Sequence, residues 1–88
     1  MSSSMEKRDW ETQTVTLINR FRGRLDDQRL DEYVELAVHL EWGVALEMLC
    51  DQIFECDITP DDEEISRIIA LGSDIGIAPK YWKHWRVK

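Results

Sequence analysis

The sequence has no Lys or Arg between Asp31 and Glu64, a segment of 34 residues that carries twelve Asp and Glu. The flanking segments differ sharply, since residues 1–30 hold six basic and five acidic groups and residues 65–88 hold five basic and one acidic. Solvated helical surfaces usually mix Lys with Glu, which favours solubility and pairing along the helix. The net charge of −7 therefore arises from a central segment that is acidic throughout.

Other absences exclude several classes of protein. No apolar run approaches the roughly 20 residues of a membrane span, and residues 1–5 lack the basic start and apolar stretch of a secretory signal. These observations predict a cytoplasmic protein with no membrane partner. Cys50 and Cys56 are six residues apart on a predicted helix, a spacing that fits neither a disulfide nor a zinc pair. We interpret both as reduced, partly buried thiols.

The sequence also lacks the motifs of catalysis and cofactor binding. His39 and His84 stand in no zinc-binding spacing, and the four glycines are scattered singly, so no phosphate-binding loop is present. The stretch that begins at Asp57 resembles a calcium loop, but Asp62 stands where Gly is required and Ile68 where Glu is required. We expect no catalytic residue, no metal site and no cofactor, and predict that the protein is not an enzyme.

Direct nucleic-acid binding is also disfavoured, because it requires a positive surface. Only residues 80–88 offer one, and Trp82 and Trp85 lie among its cations in a way that would suit base stacking. Their spacing of three instead favours one face of a short helix that docks onto the rest of the protein. The other cations are expected to form a solvated edge or to pair with the protein's own acids: Arg20, Arg22, Arg24 and Arg29.

Apolar residues recur at helical spacing and no run alternates long enough for a strand, which indicates an all-α fold. We expect residues 1–9 to form a flexible N-terminal segment and residues 10–88 to form a single helical domain. Short loops predict a compact bundle of four to five short helices with sequential helices roughly antiparallel. The predicted apolar stripe of the second helix is Leu30, Tyr33, Val34, Ala37 and Leu40.

Local signals predict where the helices begin. Asp26 or Asp27 can cap the second helix. A tight corner is expected at residues 41–43, followed by a third helix over residues 44–55. The fourth helix is predicted to have Thr59 as its N-cap and Pro60 at its first helical position. A further Pro at position 79 predicts a short basic helix at the C-terminus.

The third helix has two contrasting faces when residues are placed every 100°. Seven residues fill a broad arc typical of a core-facing surface: Ala45, Leu46, Leu49, Cys50, Ile53, Phe54 and Cys56. The opposite arc combines two apolar residues with three carboxylates, which indicates a contact surface for a basic partner. The predicted partner-binding residues, including flanking acids, are Glu41, Val44, Glu47, Met48, Asp51, Glu55, Asp57 and Asp61. Alternatively, the N-terminal segment or another helix covers the two apolar residues and the acids are merely solvated.

The run Trp42-Gly43-x-Ala45-Leu46-Glu47-x-Leu49-Cys50-Asp51-Gln52 and the later Pro79-x-Tyr81-Trp82 resemble the MafI-type immunity proteins. Members of that family are small helical proteins encoded beside polymorphic and contact-dependent toxins of bacteria. The resemblance covers roughly residues 13–86. It implies a cytoplasmic protein that binds and neutralises the C-terminal domain of a cognate toxin, and that forms a 1:1 complex as a monomer. It also implies that residues of the shared motif are largely scaffold.

Toxin domains of this class are often nucleases, whose clefts must be positive to hold phosphate. An acidic inhibitor is electrostatically suited to such a cleft. Two alternatives remain open at this point. The protein could be an acidic adaptor, or a nucleic-acid mimic that regulates a basic cytoplasmic protein. It could also form a homodimer in which the acidic helix binds the basic tail of a second copy.

Overall fold

The computed structural model describes residues 7–85 and shows an all-α protein, as predicted. Four α-helices follow one another along the chain, α1 (Lys7–Asn19), α2 (Asp27–Val38), α3 (Trp42–Glu55) and α4 (Asp62–Ile75), and a single 3-10 turn spans Pro79–Tyr81. Within the described range, β pairing is limited to one isolated bridge between Arg22 and Leu25. None of these helices has the length and hydropathy that a bilayer-spanning segment requires.

The first helix begins before residue 10, where the helical domain was predicted to start. It starts at Lys7, so the last three residues of the segment predicted to be flexible are helical. Residues 1–6 and 86–88, which carry the rest of that prediction and the end of the basic tail, lie outside the described residues. The helix ends at Asn19, yet Phe21 and Leu25 still reach the core from the turn that follows it.

The core forms where all four helices meet, and α3 contacts each of the other helices. The 3-10 turn packs against α3 and α4, and Trp82 just after it is buried in the same core. A Cβ atom at Gly72 of α4 would overlap the indole ring of Trp82, so this close approach requires glycine. The docking predicted for the tryptophan-containing tail is therefore confirmed for Trp82, although a single 3-10 turn replaces the predicted helix.

The start of α4 corrects the prediction that Thr59 is its N-cap. Asp61 holds that position, because its carboxylate accepts a 2.7 Å hydrogen bond from the Glu64 amide while the Glu64 side chain accepts one of 3.0 Å from the Asp61 amide. This reciprocal pair is a capping box, which needs a long acidic or amide side chain three residues after the cap. Three residues after Thr59 stands Asp62, whose side chain is shorter. By contrast, Asp26 caps α2 as expected.

The corner between α2 and α3 lies at Leu40, before the predicted residues 41–43. Leu40 has a left-handed backbone with φ of 70°. Its amide donates to the Ala37 carbonyl at 3.1 Å, and the Glu41 amide donates to the Leu36 carbonyl at 2.9 Å. This is the pattern of a Schellman helix end, where glycine is the usual left-handed residue. The prediction that Leu40 belongs to the core is wrong, since its side chain is 65% exposed.

We predict that Leu40→Gly stabilises the protein. Glycine adopts the left-handed conformation without the steric cost that Leu pays, and the exposed Leu side chain contributes little buried area. After the larger entropy loss of glycine on folding, we expect a gain of about 0.5–1 kcal/mol in the free energy of unfolding. Denaturant titration followed by circular dichroism measures it.

Asp57→Gly provides the matched control, because Asp57 is the other left-handed position among residues 7–85 that is not glycine. Asp tolerates this conformation better than Leu. We therefore expect a smaller gain for Asp57→Gly. A midpoint for Leu40→Gly at or below that of the unmodified protein would show that the corner carries no strain.

Candidate functional site

The buried side of α3 agrees with the sequence prediction over its first three turns. Five of the seven residues placed in the core-facing arc are buried: Ala45, Leu46, Leu49, Cys50 and Ile53. The prediction is wrong for the other two. Phe54 is 60% exposed and its ring meets the His84 ring edge-on at 4.5 Å, while Cys56 is exposed as the C-cap residue of α3. The end of α3 thus extends past the central core, and the C-terminal segment packs against it.

The opposite side of α3 is a surface, which we call the acidic face and define by Val44, Glu47, Met48, Asp51 and Glu55. Val44 and Met48 are 42% and 41% exposed and lie one helical turn apart. Glu47 is half-buried, and the two other acids are exposed. The described residues therefore leave both apolar side chains of this face accessible.

The carboxylates of the acidic face have no cationic partner within salt-bridge distance among residues 9–85, the range whose side chains the structure describes. The arginines of the loop between α1 and α2 pair with other acids. Arg22 contacts Asp31 at 2.8 Å and Asp27 at 3.3 Å. The hydrogen bond to Asp31 is the main cause that raises the pKa of Arg22 above its ordinary value.

Two further arginines converge on Glu64, whose side chain is 2% exposed. Arg24 binds its carboxylate at 2.5 Å and Arg20 at 3.3 Å. Burial by itself would raise the pKa of Glu64, but the hydrogen bond from Arg24, the Asp61 amide and the charge of Arg24 outweigh it and hold that pKa below its ordinary value. Of the two interpretations left open for these arginines, pairing with the protein's own acids is the correct one for Arg20, Arg22 and Arg24.

The three flanking acids of the predicted contact surface have different positions. Glu41 is exposed just before α3, and its side chain makes no capping hydrogen bond. Asp57 is exposed at the left-handed position that follows the C-cap of α3. Asp61 caps α4 and lies 3.7 Å from Arg20. The protein's own structure therefore already uses the charge of Asp61.

The structure also shows a groove between α2 and α3 that sequence reasoning did not identify. Its volume is about 500 Å³, and its lining combines residues of both helices and their corner: Glu32, Glu35, Leu36, His39, Glu41 and Met48. We call it the α2–α3 groove. Glu41 and Met48 are among the predicted partner-binding residues. The lining residues of α2 are not, because in the sequence the acids of α2 look like those of an ordinary solvated helix face.

A second, smaller cavity of about 340 Å³ lies at the other end of α3. It is lined by Asp51, Phe54, Lys80, Tyr81 and His84. The basic C-terminal segment therefore lies beside the end of the acidic face, although no Lys of the described range reaches salt-bridge distance of Asp51. The charge of Asp51 is therefore not paired by the lysine that lines this cavity.

Beneath the acidic face, Cys50 is buried. Burial, followed by the charges of Asp51 and Glu47, raises the pKa of its thiol to about 12. Among residues 7–85, no three His, Cys, Asp or Glu side chains are arranged so that they could hold a metal ion.

Comparison with known proteins gives no relative, since no protein-family model, no curated protein and no solved structure matches the chain.

We predict that Glu64→Gln destabilises the protein by about 2 kcal/mol. Gln can keep the capping hydrogen bonds, so the change isolates the charge that Arg24 and Arg20 stabilise. Because the folded-state pKa of Glu64 is lowered, its ionic contribution is fully present above the ordinary value of 4.5 and is lost as the pH falls through the lowered pKa. The difference between variant and unmodified protein should therefore shrink in acid.

Denaturant titration over a pH series measures this difference. Glu63→Gln is the control, because the Glu63 side chain is 60% exposed where it pairs with Arg67 at 3.0 Å and with Arg20 at 3.8 Å, and exposed pairs contribute little. We expect a change below about 0.5 kcal/mol for it. Equal effects of the two substitutions, or a Glu64→Gln effect that does not depend on pH, would contradict the role assigned to the buried carboxylate.

Proposed function

We propose that the protein is an immunity protein that binds the basic toxin domain of a cognate bacterial toxin and blocks it in the cytoplasm. The observation that carries the proposal is the acidic face, on which two accessible apolar side chains stand among carboxylates that have no ion-pair partner among residues 9–85. The resemblance of the Trp42–Gln52 motif to MafI-type immunity proteins supplies the toxin as the class of partner.

The carboxylates of the acidic face carry charge that the described side chains do not compensate. Acids that form ion pairs within the protein, such as Glu64, have their charge largely neutralised and attract a basic partner only weakly. Glu47, Asp51 and Glu55 stay hydrated and repel one another along the same helix face. A cationic surface relieves that repulsion, and complementary potentials speed the encounter of two proteins. A nuclease domain has such a surface where it holds phosphates, so a nuclease is the toxin type that this face fits best.

The two apolar side chains of the acidic face are suited to give a complex its affinity and its lifetime. Binding energy at protein interfaces is concentrated in a few side chains that become fully desolvated. Val44 and Met48 are suited to that role, since burial of their exposed area would add to affinity at each contact. Met also adapts its shape to irregular partner surfaces. Around them, the acids would select a basic partner and exclude acidic ones.

The buried positions of the motif support its interpretation as scaffold. Ala45, Leu46 and Cys50 are in the core, and Gly43 is half-buried with Ile75 of α4 beside it. Such residues can stay the same while the exposed face changes to match one toxin or another. The alternative proposal, an acidic adaptor or nucleic-acid mimic that regulates a basic cytoplasmic protein, uses the same face and differs in the identity of the partner.

The experiment that separates these functions is affinity capture with the tagged protein from its source organism, at low and high salt, followed by mass spectrometry. The captured polypeptide is then expressed alone and with this protein in a test strain. We expect a secreted protein bound through its basic C-terminal domain, toxicity when that domain is expressed alone, and rescue on co-expression. Capture of a nucleic-acid-binding regulator with no toxicity would favour the adaptor.

We predict that neutralising the acidic face weakens binding of the captured domain and leaves the fold intact. The variant carries Glu47→Gln, Asp51→Asn and Glu55→Gln, which removes three negative charges from one helix face. We expect the association rate to fall by about tenfold or more at low salt, because steering depends on local charge, and the difference to narrow at high salt. Surface plasmon resonance measures the rates.

The control changes net charge by the same amount elsewhere. Gln13→Lys, Thr16→Lys and Ser66→Lys place three positive charges on exposed positions of α1 and α4. We expect a much smaller change in association rate for this variant. Equal effects of the two variants would mean that net charge matters and the acidic face does not. Loss of cooperative unfolding in the first variant would show that its acids are structural.

A further inference from the structure

The α2–α3 groove is the largest of the described cavities, and its lining combines apolar side chains, which we call its floor, with carboxylates, which we call its rim. Leu36 and Met48 provide the apolar surface from the two helices, and Glu32, Glu35 and Glu41 provide the carboxylates. No Lys or Arg of residues 9–85 lines it. Its volume of about 500 Å³ lies within the range of about 300–1,000 Å³ that is typical of ligand pockets.

We propose that the α2–α3 groove is a docking site for a basic amphipathic helix of the partner, with apolar side chains that enter the groove and Lys or Arg that pair with its rim. The inference rests on the proposed function, because it names the element of the toxin domain that the protein would hold. It extends the contact surface from the acidic face of α3 onto α2 and the corner.

Charge complementarity determines the class of occupant. An acidic or neutral segment would bury the rim carboxylates without a counter-charge, and an uncompensated buried charge is costly. A segment with cations beside its apolar anchors would satisfy both parts of the groove. The Glu35 carboxylate lies 4.0 Å from Nδ1 of His39, and both side chains are exposed. Among the described residues that line the groove, His39 is the one that can carry a positive charge. The rim thus keeps most of its negative charge for a partner.

The spacing of the lining residues fits a helical occupant. Glu32 and Leu36 are one turn apart on α2 and form a ridge on one side of the groove. Met48 of α3 lines the other side, and the exposed Val44, which does not line the groove, precedes it by one turn. A third helix can lay its own ridge between two such ridges. Recognition of this kind uses apolar anchors three, four or seven residues apart on the bound helix.

The corner supplies an independent indication that this end of the molecule contacts another. Leu40 follows the lining residue His39 and precedes the lining residue Glu41. It keeps a large apolar side chain exposed at a left-handed position where glycine would cost less. Backbone strain and exposed apolar area together disfavour the free protein, and both are typical of surfaces kept for binding.

The test uses the full chain and a set of fluorescein-labelled peptides of about 15 residues, long enough for appreciable helix formation. The peptides consist of Lys and Ala with two Leu placed three or four residues apart. Matched peptides replace either the Lys with Glu or the Leu with Ser. We expect fluorescence anisotropy to show binding of the Lys and Leu peptides that weakens with salt, and no binding of either matched set. Failure of every Lys and Leu peptide to bind would overturn the proposal.

Variants of the protein locate the binding. Met48→Lys should weaken the affinity of the peptide by about tenfold or more, since it puts a cation on the floor of the groove. Val38→Lys is the matched control, because Val38 is also exposed and apolar, lies on α2 and does not line the groove. Equal loss in both variants would overturn the groove as the site. Circular dichroism verifies that each variant is folded.

Light scattering tests for a second copy of the protein as the occupant. A dimer that both Met48→Lys and truncation after Trp85 convert to a monomer would show that the groove binds the basic tail of another copy, which overturns the proposal of a partner helix. A monomer that binds the peptides supports it.

Failure of this inference can be distinguished from failure of the proposed function. A captured toxin domain that binds Met48→Lys and unmodified protein equally would retain the immunity function and overturn the groove as its docking site. Peptide binding that Met48→Lys weakens, in a protein that neutralises no toxin, would support the groove and contradict the immunity function.

Discussion

The charge on Glu64 is the constraint on which the surface of this protein depends. A buried carboxylate needs cations, and Arg20 and Arg24 supply them from the loop between α1 and α2. This clamp fastens that loop to the start of α4, where Asp61 and Glu64 also cap each other's amides. Arg22 pairs in turn with two acids of α2. The three arginines of this loop therefore form ion pairs with acids outside α3. The acids of α3 are left without partners in the described part of the chain.

Much of the fold follows from local sequence signals, and the errors have identifiable causes. Periodicity identified the buried side of α3 as far as Ile53, because each turn there packs against neighbouring helices. It failed at Phe54, since a helical wheel cannot show that the core has ended. The pattern fails at Leu40 for a related reason. The apolar spacing of α2 continues to Leu40 in the sequence, although the helix itself ends at Val38. Pro60 makes Thr59 the cap that the sequence predicts. Asp61 is the cap instead, because the side chain of Glu64 is long enough to accept a hydrogen bond from the Asp61 amide.

The candidate site divides in the same way. The accessible apolar residues and acids of α3 could be predicted, because they lie on one element and share one helical face. The α2–α3 groove could not, since it exists only where Leu36 and Met48 of two elements approach each other. Glu32 and Glu35 look like any hydrated helix surface until their apolar neighbours are known. Conversely, Asp61 carries the same charge as its neighbours along the acidic segment, yet the fold uses it internally.

The two cysteines of α3 and its C-cap differ in exposure and therefore in reactivity. Cys50 lies in the core with its proton firmly held, whereas Cys56 is accessible at the end of the same helix, where the Gln52 amide donates to its sulfur at 3.0 Å. Reactivity of thiols follows the thiolate and its exposure. Cys56 is therefore the attachment point for a spectroscopic label beside the acidic face, with every carboxylate left in place. Modification of Cys50 would instead require that α3 separate from the core. Without any substitution, labelling of Cys56 thus reports partner binding, and labelling of Cys50 reports local unfolding.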